Sequence, residues 1–448
     1  MVDESVTWPT MAEHCKPSGL SHEVGEGQLF FSVTDRRGII TAANSVFVDL
    51  ARLRRDQLMG SPHSIIRHPD MPAGVFKLMW DEIAADRPFC CYIDNLAADG
   101  SSYTVFATIT PFPDGYLSVR VRPLRRDLLD FARGLYKATR PVELAAQTHG
   151  INRRGAAALG YDKFTELLAE AGYESYAEFQ WRALVAEADA RSAVSVGLQA
   201  RPQATGPLAA MLIRCQALSA ELGRWSGHQV AIQHMATSLS EAIPHLLHAA
   251  KTATATAAAI DEETLAGDGR TGVTPFLTSR LTQLSSIIRD LVRQLVEFRR
   301  TCFDTRSQVA LAQLHTDALC QFVVEIIDDG LAAYDQDAIR QVCQALDLDF
   351  AIVGELTERT ASYAATTVHE LNRAHGLIAD HRSVVRQATA GAVRAAPAIA
   401  QQLAGVEDAL ALIEHLGREA ESITTPQDTR LAETQVAGLL ALMDTLSD

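Results

Sequence analysis

The chain has 448 residues and a formal net charge of −15, enough for two or three domains and a sizeable core. So acidic a balance, with no basic block, argues against nucleic acid or an anionic membrane face as the main partner, since both would repel it. Hydrophobic residues make up 47%, yet no run of about 18 uncharged apolar residues stands out, so no membrane span is expected.

The opening MVDESVTWPTMAEHCKPSG is acidic and lacks an apolar core, so it does not read as a secretory signal. Residues 1–25 read as a partly disordered cap segment. The seven cysteines, Cys15, Cys90, Cys91, Cys215, Cys302, Cys320 and Cys343, are odd in number and form no CxxC. They fit a reduced cytoplasmic protein, not a disulfide framework or a zinc site.

Residues 26–125 have strand character. QLFFSVTD is short, β-branched and aromatic and ends at the turn DRRG; GIITAAN follows, so the pair predicts a hairpin. NSVFVDLARL and RDQLMG predict short helices, with Asn44 as N-cap. GVFKLMWDEIAADR predicts an amphipathic helix with Val75, Leu78, Met79 and Ile83 on one face. FCCYIDNLA, SSYTVFATITPF and GYLSVRVRPL predict a three-strand meander joined by ADGS and PDG turns. Together these predict an α+β domain of about 100 residues with helices on one side of a five-stranded antiparallel sheet. Cys90 and Cys91 are adjacent, so a strand points them to opposite faces.

From residue 126 onward Ala, Leu, Glu, Gln and Arg dominate. Residues 126–200 predict a short-helix connector, and 201–448 a long-helix bundle or coiled coil. Leu281, Leu284, Ile288, Leu291, Leu295 and Phe298 form a heptad seam, and Leu403, Val406, Leu410 and Ile413 a second stripe. Breaks are expected at RPQATGP (201–207), AGDGRTGVTP (266–275) and TTPQD (424–428).

The segment GSPHSIIRHPDMP (60–72) carries the chemistry. Two prolines within four residues forbid a long helix, yet two Ile make it too apolar for a plain loop. It predicts a short, awkward turn presenting Arg67, His68 and Asp70, a place to look for a ligand. The blander alternative is a surface turn with Asp70 as a cap and Arg67 in a salt bridge. His63, His68 and Asp70 also form a possible metal set, which Pro69 and Pro72 make hard to converge. GSPHSI holds no cysteine for a flavin photoadduct.

TDRRGIITAANSVFVDL, PHSIIRHPDMP, the Phe and Trp of GVFKLMWDEI, the Asn of YIDNLAADGSSY and the closing GYLSVRVRP resemble the flavin-binding PAS domain of the aerotaxis receptor family. The resemblance covers roughly residues 28–123. It implies a PAS domain holding FAD without covalent attachment, and places Asn44, Arg67, His68, Asp70, Phe76, Trp80 and Asn95 at the cofactor. Phe47, Ile65, Ile66, Phe76 and Trp80 offer the apolar slot a flat ring needs. Phe89 stands where the family often has Trp, and Asp94 replaces a basic residue. The methyl-accepting hairpin tip is not found; SQVALAQLHTDALCQFVVEIIDDG (307–330) keeps only its apolar rhythm.

The expected function is a soluble cytoplasmic redox or oxygen sensor that homodimerises through its helical region and signals to a partner such as a chemotaxis kinase or adaptor. Alternatives are a haem-binding PAS sensor with His68 as axial ligand, or an interaction protein with an empty PAS domain. No nucleophile elbow, P-loop or zincin motif marks an enzyme. VHELNRAHG (368–376) faintly resembles a phospho-accepting helix, but no ATP-binding boxes accompany His369. His245 and His248 lack a third ligand.

Overall fold

The strands of the computed structural model, which describes residues 16–194, 200–266, 274–330, 333–395 and 430–446, fall where alternation and turn residues put them. β1 (Leu29–Asp35) and β2 (Ile40–Ala43) form the hairpin. The Asp35 carboxylate closes its turn by accepting from the Arg37 and Ile39 amides. β3 (Phe89–Leu96), β4 (Ser102–Phe112) and β5 (Gly115–Val121) form the meander. The antiparallel sheet runs β2-β1-β5-β4-β3. Between β2 and β3 come α1 (Ser45–Ala51), α2 (Arg55–Leu58), a 3-10 turn (His63–Ile66) and α3 (Ala73–Ala84).

Helices were expected on one side of the sheet, but both faces are covered. Every residue of β5 is buried. Phe31 alternates with Ser32 and faces away from the short helices. It meets Phe322 of α8 (Thr274–Asp329) edge-on at 4.8 Å. On the same face Thr110 Oγ1 lies 3.3 Å from His315 Nε2, and the Leu29 amide donates to Gln321 at 3.2 Å. The near-continuous apolar runs of β1 and β5 are the signature of strands buried on both faces.

The connector is α4 (Arg126–Thr148), α5 (Arg153–Glu170) and α6 (Tyr176–Val194), of 23, 18 and 19 residues, so its helices are not short. It seals the free edge of β3. Gln180 Oε1 accepts from the Cys90 amide at 2.9 Å, while the Tyr176 and Tyr136 hydroxyls donate to the Cys90 and Tyr92 carbonyls. An open edge strand would otherwise be a template for foreign pairing.

Among the described residues there follow the helices α7 (Gly206–Ala266), α8, α9 (Ala333–Ala395) and α10 (Arg430–Leu446). The break at 201–207 falls before α7. The other two breaks lie wholly or mostly outside the described residues, as do Leu403, Val406, Leu410 and Ile413 and the side chains of Leu281, Leu284 and His245. Ile288, Leu291, Leu295 and Phe298 are buried, as a seam requires. His369 is exposed on α9.

Against expectation, Ser285–Asp329 is long and apolar enough, by length and composition, to cross a membrane. Yet 72% of its apolar window is buried inside the protein, as in a core helix. The chain divides into two compact units, Met1–Arg224 with Ser307–Ile352 and Thr429–Asp448, and Trp225–Arg306 with Val353–Asp428. The sheet belongs to the first.

Candidate functional site

A cavity of about 210 Å³ opens between the sheet and the short helices. Arg67, Phe76, Met79 and Trp80 line it from the helical side, and Ile93, Asn95, Tyr116, Ser118 and Arg120 from the sheet. Four of the seven residues singled out from sequence, Arg67, Phe76, Trp80 and Asn95, therefore meet at one place. The other three do not line it.

Asn44 caps α1 and is wholly buried. Its Oδ1 accepts from the Phe47 and Phe31 amides, and its Nδ2 donates to the Leu29 carbonyl. Every polar atom of that side chain is spent joining β1 to α1. His68 Nδ1 accepts from the Asp70 amide at 3.2 Å, inside the turn. The Asp70 side chain is 87% exposed. Two prolines bend the chain so that Arg67 turns inward and Asp70 outward.

The turn is pinned on both sides. The His63 amide donates to the Gly38 carbonyl, and Arg67 bridges Asn95 of β3 through the backbone. Gly38 is required twice over: its φ is +80°, and a Cβ there would meet the Trp80 ring at 2.9 Å. Trp80 in turn stands edge-on to Tyr116 at 5.8 Å.

Two arginines dominate the electrostatics. The Arg67 guanidinium lies 3.7 Å from the Phe76 ring centroid, a cation–π contact. Arg120 donates to Ser32 Oγ at 3.0 Å and to His63 Nε2 at 2.7 Å. Among the described residues neither arginine makes an ion pair. Burial lowers both to about 10, so both stay charged at neutral pH. For Arg67, the neighbouring Arg140 adds to that lowering and Glu143 opposes it. Burial, then the Arg120 charge, pushes His63 well below its ordinary value, so its imidazole is neutral.

Three buried donors in this cavity have no partner: Arg67 Nε, Asn95 Nδ2 and Arg120 Nε. Buried donors are nearly always paired, so three at one void mark a place for an acceptor-rich group. Sequence reasoning weighed His63 only as a metal ligand and missed Arg120 and Tyr116. Among the described residues no group of three His, Cys, Asp or Glu is placed to hold a metal.

Neither departure from the family pattern is among the residues that line the cavity. Asp94 accepts from Thr104 and from Arg133 of α4, and Phe89 stacks on Tyr176 at 4.9 Å. Cys91 shares the face of Ile93 and Asn95, whereas Cys90 faces the other way, as alternation requires.

Fold and site together define a PAS domain with a cationic cavity, followed by an all-α region. No family model matches the chain. Over 144 residues it is 28% identical to the aerotaxis receptor of Escherichia coli (strain K12). The match takes in 31% of this chain and 28% of the receptor, so the chain spans well under half the length of the curated relative it matches.

Proposed function

We propose that this chain is a cytoplasmic redox or oxygen sensor of the aerotaxis-receptor type, whose PAS cavity holds FAD and whose helices relay the cofactor's state to a signalling partner. The observation that carries the reading is the set of three unpartnered donors, two of them on buried cations, facing a void walled by Phe76 and Trp80. The similarity to an aerotaxis receptor supports the sensory role.

The donors suit a planar ring with carbonyl oxygens along one edge, and the aromatic walls suit its faces. At about 210 Å³ the cavity fits one ring system, not a whole dinucleotide. The adenosine end then lies outside, past Arg37, whose side chain is 73% exposed. When bound, a flavin supplies reversible electron uptake. The chain's part is to bind, to orient the ring and to shed water from it. The flavin acts here as a reporter, without enzymatic turnover, and the output is a protein partner such as a chemotaxis kinase or adaptor, with the helices as the dimer contact.

A haem held through histidine needs a free imidazole nitrogen at the cavity. His68 stands outside the lining and His63 Nε2 is engaged by Arg120, so the geometry favours the flavin. The test is the visible spectrum of the purified protein before and after dithionite. A flavin band that bleaches is expected. A Soret band would replace the reading with haem; colourless protein would replace it with an interaction role.

A further inference from the structure

We infer that Arg120 is the residue that orients the ligand, taking the carbonyl-bearing edge of its ring at the floor of the cavity while any phosphate stays at the rim. The inference rests on the flavin reading above and goes further, to a residue and an orientation.

Arg120 is the penultimate residue of β5, flanked in the ladder by Phe30 of β1 and Ala107 of β4. It is 3% exposed, with the Phe30 and Phe47 rings each 5.6 Å from its guanidinium carbon. The groups facing it are Ser32 from β1, Cys91 from β3, Tyr103 from β4 and His63 from the 3-10 turn. None carries a negative charge at neutral pH. Burial pushes the Cys91 thiol up to about 12 and raises the Tyr103 hydroxyl further. Isolated buried charge is costly, and every nearby partner supplies only a dipole.

His63 strengthens the case. With Nε2 accepting from Arg120, it is a neutral acceptor stacked on Phe47 at 5.6 Å. It keeps the guanidinium aimed without cancelling its charge. The floor thus holds one positive charge without an ion-pair partner and two donors without acceptors, Arg120 Nε and the Tyr103 hydroxyl. A phosphate there would lose its water to two aromatic rings. A ring edge, whose charge is partial and delocalised, would not. Arg37 at the rim is 73% exposed, so a phosphate beside it would keep its water, although Asp35 already pairs with the guanidinium at 3.0 Å.

The ring N–H between the two flavin carbonyls reports the contact, because a nearby cation favours its deprotonated form. The full chain loaded with FAD is titrated over about pH 6 to 11, following flavin absorption, beside Arg120→Gln and Arg120→Lys. Arg120→Gln is expected to raise the titration midpoint by about 1–3 pH units over wild type, with Arg120→Lys in between. Equal midpoints in wild type and Arg120→Gln would overturn the assignment. Should Arg120→Gln fail to fold, the wild type answers alone. With isotope-labelled ring carbonyls, their stretching frequency is expected below that of FAD in water, and an unshifted frequency overturns the proposal. Wild-type protein that takes up no FAD is a different result: the flavin reading itself then falls, and this inference with it.

Discussion

Arg67 and Arg120 are two cations in one small void; among the described residues neither has an ion pair, and Glu143 offsets Arg67 only from a distance. Removing one therefore relieves the apo protein and weakens the loaded one. Arg67→Ala is expected to cut FAD affinity by about 1.5–3 kcal/mol, roughly 10- to 150-fold, with helix content by circular dichroism unaltered. Asp70→Ala, 87% exposed and outside the lining, is expected to leave occupancy near wild type.

The contrast shows what the residues disclosed. RHPDMP marked the right turn, and helical spacing put Phe76 with Trp80, but the inward or outward sense of each side chain depends on how two prolines bend the backbone. Arg120 was hidden for another reason. Arg120 and Arg122 are two apart, so the pleat sends both to one face. Only the ladder register sets Arg120 over the cavity, while Arg122 reaches Glu23 at 2.8 Å.

His63 supplies a pH dependence. Its folded value lies below its unfolded value near 6.5, so between the two the unfolded chain holds the extra proton. Stability from this group is complete above about pH 6.5 and falls below it by at most about 1.4 kcal/mol per pH unit. Urea melts at pH 5.5 and 7.0 measure the fall. His63→Gln, which keeps an acceptor for Arg120, should flatten it.

At the scale of elements, the wall helix α3 is held from outside the PAS domain. Its N-terminus has no side-chain cap of its own, because Pro72 stands there. Glu143 of α4 supplies one: its carboxylate accepts from the Ala73 and Gly74 amides at 2.9 and 2.8 Å and from Arg140 at 2.9 Å. Arg140 also donates to the Pro69 carbonyl. The connector thereby grips both the Arg67 turn and the helix bearing Phe76 and Trp80. A carboxylate at a helix N-terminus is doubly favoured, by hydrogen bonds and by the dipole.

Glu143→Ala is expected to cost about 2–3 kcal/mol in denaturant melts. It should also speed hydrogen exchange at Ala73 and Gly74 more than elsewhere; uniform change across the sheet would dismiss the clamp. Gly160 of α5 is there to make room, since a Cβ on it would collide with the Glu143 carboxylate. Gly160→Ala is expected to destabilise by about 1–3 kcal/mol through overpacking.

The elements themselves were legible, because turn residues and alternation act locally. The cap was not, since Glu143 and Ala73 are 70 positions apart. The cover of the sheet's second face by α8 was equally non-local; the apolar residues of β1 and β5 on that face are its local trace, which alone does not say what packs there.

Over the whole molecule, the PAS sheet is joined to the helical region inside one compact unit. Glu325 of α8 accepts from the Ser45 amide at the start of α1, at 2.7 Å. On the opposite face from the cavity, Thr110 meets His315, which pairs with the buried Asp349 of α9 at 2.5 Å. A change in the sheet thus has α8 and α9 as its first neighbours, which makes them the expected start of an output path. In the second unit Leu291 is fully buried in the α8 seam. Leu291→Asp places a charge in apolar surroundings and should lower stability by roughly 3–5 kcal/mol, read by calorimetry; an unchanged melt would rule the seam out.

The central claim is that the cavity between the Arg67 turn and the sheet is built for a planar redox cofactor. Titrating the flavin-stripped 448-residue chain with FAD, while following flavin fluorescence, tests it most directly. Stacking against Phe76 and Trp80 predicts saturable one-to-one quenching that Arg67→Ala weakens. Folded protein that leaves FAD fluorescence untouched would contradict it.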